Sequence, residues 1–238
     1  MIRAKQFLTR TVAAVAAFLA FALFALLADS AFAQGWQEEF DIAKQKLASS
    51  GKSKYFVLEP GFQIVLASDD EKLTITVLDE TKEINGIITR VVEEREEEDG
   101  ELTEVSRNFF AINRESGDVF YFGETVDIYE DGKIAQHDGA WLAYKDGAKP
   151  GLIMAGNPQV GKMYYQEVAP EVAMDRAEIV SVSEKFNTPA GAFENCLKTK
   201  ESSKIKPDEM EYKLYAPGIG LIKEHTMKLI KYGFVEKQ

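Results

Sequence analysis

One cysteine, Cys196, stands in 238 residues. An intrachain disulfide is therefore impossible, and stability has to come from packing. Histidine is nearly as scarce, with only His137 and His225. A thiol nucleophile has little choice of base, no nucleophile-elbow pattern offers a serine one, and a zinc centre lacks clustered His and Cys ligands. Cys196 sits in Ala192-Phe193-Glu194-Asn195-Cys196-Leu197, a strand-like stretch, and reads as a small buried hydrophobe. Cations are outnumbered, 28 Lys and Arg against 39 Asp and Glu, for a net charge of −11. Such a surface repels nucleic acid and anionic membrane faces. Internal repeats and low-complexity linkers are absent, so no clear domain boundary shows; a soft division falls near Pro170.

Long apolar runs are also missing, except one. Val12 to Ala28 follows Arg3, Lys5 and Arg10 and precedes Ala31-Phe32-Ala33. A positive start, an apolar middle and a small-x-small motif, in that order, form an export signal. The reading is a signal peptide over 1–33 and a single exported β domain over 34–238, periplasmic or secreted, with no stable membrane span after cleavage. An uncleaved anchor is the rival, since Thr11–Ala28 is 18 residues, near the lower limit for crossing a bilayer. Removing a leader with three cations (Arg3, Lys5, Arg10) and one anion (Asp29) moves the net charge from −11 to −13.

What remains reads as β. Trp36, Phe40, Ala43 and Leu47 recur at helical spacing and predict one N-terminal helix to Ser50, with Gly51 as its C-cap. Beyond it, Leu73-Thr74-Ile75-Thr76-Val77 alternates cleanly. Ile84 to Val92 predicts a strand running into the acidic stretch Glu93–Asp99, the tip of a long hairpin returning over Leu102 to Asn113. Asp131-Gly132 is a second hairpin signal. Roughly ten or eleven strands follow one another without the intervening helices of βαβ units, so antiparallel neighbours are expected. Strands apolar on both faces, such as Val119–Phe122, imply a strongly curved antiparallel sheet, half-barrel or barrel-like.

Three patterns could carry chemistry. Gly156 to Lys162 imitates a phosphate-binding loop, but Met163 stands where Ser or Thr would hold magnesium. Asp127, Asp131 and Asp138, with Gly132 between them, partly match a calcium loop, although Tyr129 occupies a ligand position. Calcium is the one cofactor the sequence offers ligands for, and no other is implied. Glu124, Asp127, Asp138 and Asp146 flank aromatic strands and are candidates for paired-carboxylate hydrolysis. Among the aromatics crowding the central strands, Phe120, Phe122, Trp141, Tyr144 and Tyr164 are candidate lining for an apolar or sugar ligand.

The segments Asp118-Val119-Phe120-Tyr121-Phe122-Gly123-Glu124, Gly139-Ala140-Trp141, Asp146 to Met154 and Gly161-Lys162-Met163-Tyr164-Tyr165-Gln166-Glu167 resemble a group of uncharacterised exported bacterial proteins. Thr188 to Cys196 and Tyr215-Ala216-Pro217-Gly218-Ile219-Gly220-Leu221 are similar to the last strands of periplasmic half-barrel proteins related to lipoprotein carriers. The resemblance covers about half of 34–238 and fits Gln34 to Glu101 poorly. It implies an exported curved sheet around an apolar cavity and carries no catalytic residues across.

The leading expectation is a non-catalytic exported protein that binds a small or apolar ligand or an envelope protein. An envelope hydrolase using paired carboxylates and a calcium-stabilised structural or adhesion module are the alternatives. N-terminal sequencing of the protein recovered from its native host should begin at Gln34; a start at Met1 would make 1–33 an anchor.

Overall fold

The computed structural model describes residues 35–235, so the signal-peptide expectation lies outside the described residues. Residues from Trp36 onward form one compact unit. Eleven principal strands build it. The first meander is β1 (Phe62–Ala67), β2 (Glu71–Ile84), β3 (Ile87–Glu98), β4 (Glu101–Asn113) and β5 (Val119–Glu130). The second is β6 (Met163–Tyr165), β7 (Asp175–Thr188), β8 (Gly191–Ser203), β9 (Met210–Ala216), β10 (Gly220–Glu224) and β11 (Met227–Phe234). Every pairing between these strands is antiparallel.

The two meanders are joined by their outermost chain segments. Strand β11 pairs with β1, Lys228 opposite Ala67 and Phe234 opposite Phe62. The sheet order is therefore β5-β4-β3-β2-β1-β11-β10-β9-β8-β7-β6. The sheet does not close into a barrel. Short strands instead pair along β5: Lys133–Gln136, Trp141–Leu142 and Gly151–Met154. The other end, β6, is covered by Gln37, whose N–H donates to the Met163 carbonyl at 3.0 Å and whose carbonyl accepts from Tyr165 at 2.9 Å. One bridge, Lys149 to Val168, links the chain on either side of the opening. Covered edges leave few free ladder groups for another chain to pair with.

The turns follow local chemistry. Asn85-Gly86, Asp99-Gly100 and Asp131-Gly132 all have positive φ at both residues, the conformation a two-residue hairpin turn requires. The expected continuous strand from Ile84 to Val92 is thus corrected: Asn85-Gly86 breaks it into the end of β2 and the start of β3. The acidic stretch is not loop either. Strand β3 runs to Glu98, and the tip is only Asp99-Gly100.

The N-terminal helix is also corrected. Among the described residues there is no α-helix, only a 3-10 turn at Ile42–Lys44. Phe40 packs edge-on against Phe120 at 5.8 Å and Trp36 against Tyr165 at 6.1 Å. Leu47–Ala48 pairs with β4 at Asn113 and Ile112. A 15-residue helix is marginal alone, and an extended path buries these side chains on the sheet. Gly51 caps nothing; it lies in the two-residue strand Gly51–Lys52, against Ile112.

Gly123 is one of three positions, with Gly151 and Gly156, where a side chain would run into backbone. Its φ is +120°, and a Cβ there would lie 2.3 Å from the Trp141 carbonyl oxygen. Gly123→Ala should cost about 2–3 kcal/mol and lower the melting temperature by roughly 5–10 °C. Gly35→Ala, with nothing within 4 Å, should leave it unchanged.

Candidate functional site

The concave face of the sheet encloses a cavity of about 390 Å³. Because side chains alternate along a strand, every second residue reaches it. Ile75 and Val77 do so on β2, Val92, Glu94 and Glu96 on β3, and Glu104, Ser106, Asn108 and Phe110 on β4. Phe62 and Ile64 come from β1, Glu201 from β8, Lys213 and Tyr215 from β9, and Leu221 and Glu224 from β10.

Two bulges break the alternation and add acids. On β5, Tyr121 opposes Phe110 and Glu124 opposes Asn108, so β5 carries one extra residue there. The strand turns through Gly123, and Tyr121 and Glu124 both line the cavity. After β6, the N–H groups of Gln166 and Glu167 both donate to the Asp175 carbonyl, at 2.7 and 3.1 Å. That doubled bond is a bulge, and both residues face inward with Asp175 at the rim.

The lining divides in two. Phe56, Val57, Phe62, Ile64, Val77, Ile219 and Leu221 make an apolar part. Eight carboxylates make the other: Glu94, Glu96, Glu104, Glu124, Glu167, Asp175, Glu201 and Glu224, with Lys213 as the single cation. Lys213 Nζ lies 3.5 Å from Glu201 and 3.3 Å from Glu211 and is also paired with Glu224. Burial would push its ammonium toward neutrality, but Glu224, Glu201 and Glu211 outweigh that and keep it charged. Glu201 further accepts hydrogen bonds from Thr199 and Tyr215 at 2.8 and 3.0 Å.

The remaining acids of the lining have no ion pair among the described residues, and Lys213 draws on Glu94, Glu96 and Glu167 only at longer range. Glu96 and Glu104 sit directly opposite each other on β3 and β4, a repulsive cross-strand pair. Burial, then the charge of Glu224, pushes Glu94 up to about 8. Burial also raises Glu124, to about 7, against the opposing pull of the Tyr121 hydroxyl. The Trp141 indole N–H lies beside Glu124 without hydrogen-bond geometry. Glu167 is pushed well up by burial and by Glu124 and Asp175. Glu96 is raised to about 7 by burial and Glu104, but it is open to water, which screens much of that effect.

The residues picked from sequence fall mostly elsewhere. Phe120, Phe122, Trp141 and Tyr164 are buried, and none of them lines this cavity; Trp141 borders a separate pocket beside Glu124, and Phe120 and Tyr164 border another. Phe120 and Phe122 alternate with Tyr121 and so point to the opposite face, where Phe40 covers Phe120. Tyr144 is 46 % exposed. Asp127 pairs with His137 at 2.8 Å, Asp131 sits in the hairpin turn, and Asp138 and Asp146 are exposed. Asp131 and Gly132 form a two-residue hairpin turn, and among the described residues no group of three His, Cys, Asp or Glu is placed to hold a metal. Of the proposed acid set, only Glu124 reaches the cavity. Gly156 donates its N–H to Asp118 at 2.8 Å, which makes its loop a structural one.

Glu94, Glu96 and Glu104 could have been found from the sequence. They extend the inner-face period of Val92 and of Ser106, Asn108 and Phe110, once the strand is carried through the acidic stretch. Glu124, Gln166 and Glu167 could not, because the bulges that aim them leave no local signature. Comparison with known protein families, with curated proteins and with solved structures finds no match.

The raised carboxyls fix the sign of a pH effect. Their folded pKa lies above the unfolded value, so the native state binds more protons. The stability they contribute is complete below about pH 4.5 and is lost as pH climbs through 7 to 8. Thermal melts should fall by roughly 5 °C between pH 5.5 and 8.5 in the empty protein. Glu94→Gln, which imitates the protonated acid, should flatten that slope.

Proposed function

We propose that this chain is an exported, non-catalytic binding protein whose concave face takes up the apolar part of a small ligand. The observation that carries this reading is the 390 Å³ cavity with a continuous apolar part made by Phe56, Phe62, Ile64, Val77, Ile219 and Leu221. That volume lies within the range of small-molecule sites. Phe56 and Phe110 meet edge-on at 5.4 Å, so part of the wall is fixed before any ligand arrives. The likeness of the tail to half-barrel carriers agrees with it.

The hydrolase alternative has weaker support. Acid–base chemistry wants two groups pushed in opposite directions, one kept protonated and one kept ionised. Here Glu94, Glu124 and Glu167 are all driven the same way by burial and mutual repulsion. The calcium-stabilised module finds no gathered ligands at Asp127, Asp131 and Asp138.

N-phenyl-1-naphthylamine, a neutral apolar fluorophore, tests the reading. The folded protein should brighten it with a dissociation constant in the micromolar range, and Leu221→Trp, which fills the apolar part, should weaken binding at least about tenfold. No brightening by folded wild-type protein would overturn the proposal.

A further inference from the structure

Three cations of the β2–β4 hairpins lie on the outer face, while Arg90, opposite Phe110, is buried on the inner one and held by the Ser49, Leu78 and Glu80 carbonyls. Lys72 bonds Glu97 at 2.8 Å, Arg95 approaches Glu93 at 4.0 Å, and Arg107 pairs with Glu80. All three cations alternate with the inward residues and so lie on the opposite face. In the cavity lining the one cation, Lys213, already serves three carboxylates. Glu94, Glu124 and Glu167 are left facing the cavity without an ion pair among the described residues, and Lys213 acts on Glu94 and Glu167 only at longer range.

A second observation is independent of the acids. Gln166 is only 4 % exposed. It lines the cavity, and its side-chain amide has no hydrogen-bond partner among the described residues. The residue is enclosed, yet its amide opens onto the cavity, where a ligand polar group can pair with it. It stands next to Glu167 in the same bulge.

We propose that the ligand's polar end is an organic ammonium, held between Glu94, Glu124 and Glu167 with the Gln166 carbonyl accepting one of its N–H groups. The inference rests on the binding reading above and adds the class of the head group. A compact metal ion fits poorly, because no three acids converge on one point among the described residues. An ammonium with several N–H donors tolerates more widely spaced acceptors. Phe110 and Tyr121, whose ring centroids are 4.7 Å apart, also line the cavity, and aromatic rings favour a nearby cation. A cation placed there opposes the burial and like-charge repulsion that raise Glu94 and Glu124. An anionic head would add to it. The apolar part of the cavity then takes the hydrocarbon portion of the same molecule.

Three ligands with one chain length and different heads test this: octylamine, octanol and octanoate, each below its aggregation limit, competing with bound N-phenyl-1-naphthylamine at pH 7. Octylamine should compete at least about tenfold better than octanol, and octanoate least well. Glu94→Gln/Glu124→Gln should remove the preference for the amine over octanol, with circular dichroism confirming the fold. Equal competition by all three, or a preference for octanoate, overturns the ammonium inference while the binding reading stands. Failure of the fluorophore itself to bind overturns the binding reading, and the inference with it.

Discussion

The pairing of β11 with β1 is the contact on which the rest depends. Without it the chain would hold two meanders, each with a free edge at Phe62–Ala67 or Met227–Phe234. With it, the strands form one continuous sheet, and Glu94 of the first meander faces Lys213 and Glu224 of the second across one cavity. The bond is costly to form early, since it closes a loop over most of the described chain. It is secured by alternating apolar contacts: Leu66 opposite Leu229, and Phe62 stacked edge-on with Phe234 at 5.4 Å.

The inner face then carries a conflict. Half of it is the apolar lining expected of a curved sheet. The other half gathers acids in a place where burial and mutual repulsion both oppose their charge. Glu96 opposite Glu104 is the plainest example, because a like-charge cross-strand pair works against the hairpin that contains it. Sequences chosen for stability alone replace such pairs. Local choices that work against the fold mark places where function is the stronger constraint. Lys213 relieves part of the conflict around Glu201, Glu211 and Glu224 and leaves the rest of the wall without an ion pair among the described residues.

Legibility followed the range of the interactions. Hairpins set by neighbouring residues were readable: Asp131-Gly132 turns as its φ preference requires, and Leu102 to Asn113 returns beside β3. Asn85-Gly86 carried the same signal and was concealed by the β-branched run around it. The helical spacing of Trp36, Phe40 and Leu47 was genuine, but each side chain found a better partner on the sheet than on a helix of its own. The aromatic cluster drew attention to Phe120 and Phe122, which pack the far face. Their neighbour Tyr121 is the one that looks inward.

The sequence by itself determined a disulfide-free, acidic, antiparallel β protein with two-faced apolar strands, because composition and the period of two are local properties. Only the tertiary structure decided which acids share a cavity. Glu94, Glu124, Glu167 and Glu224 are far apart along the chain, two of them aimed by bulges, and their meeting depends on a sheet whose first and last strands are bonded to each other. A one-residue shift at either bulge would send Glu124 or Glu167 to the opposite face without changing the composition or the charge.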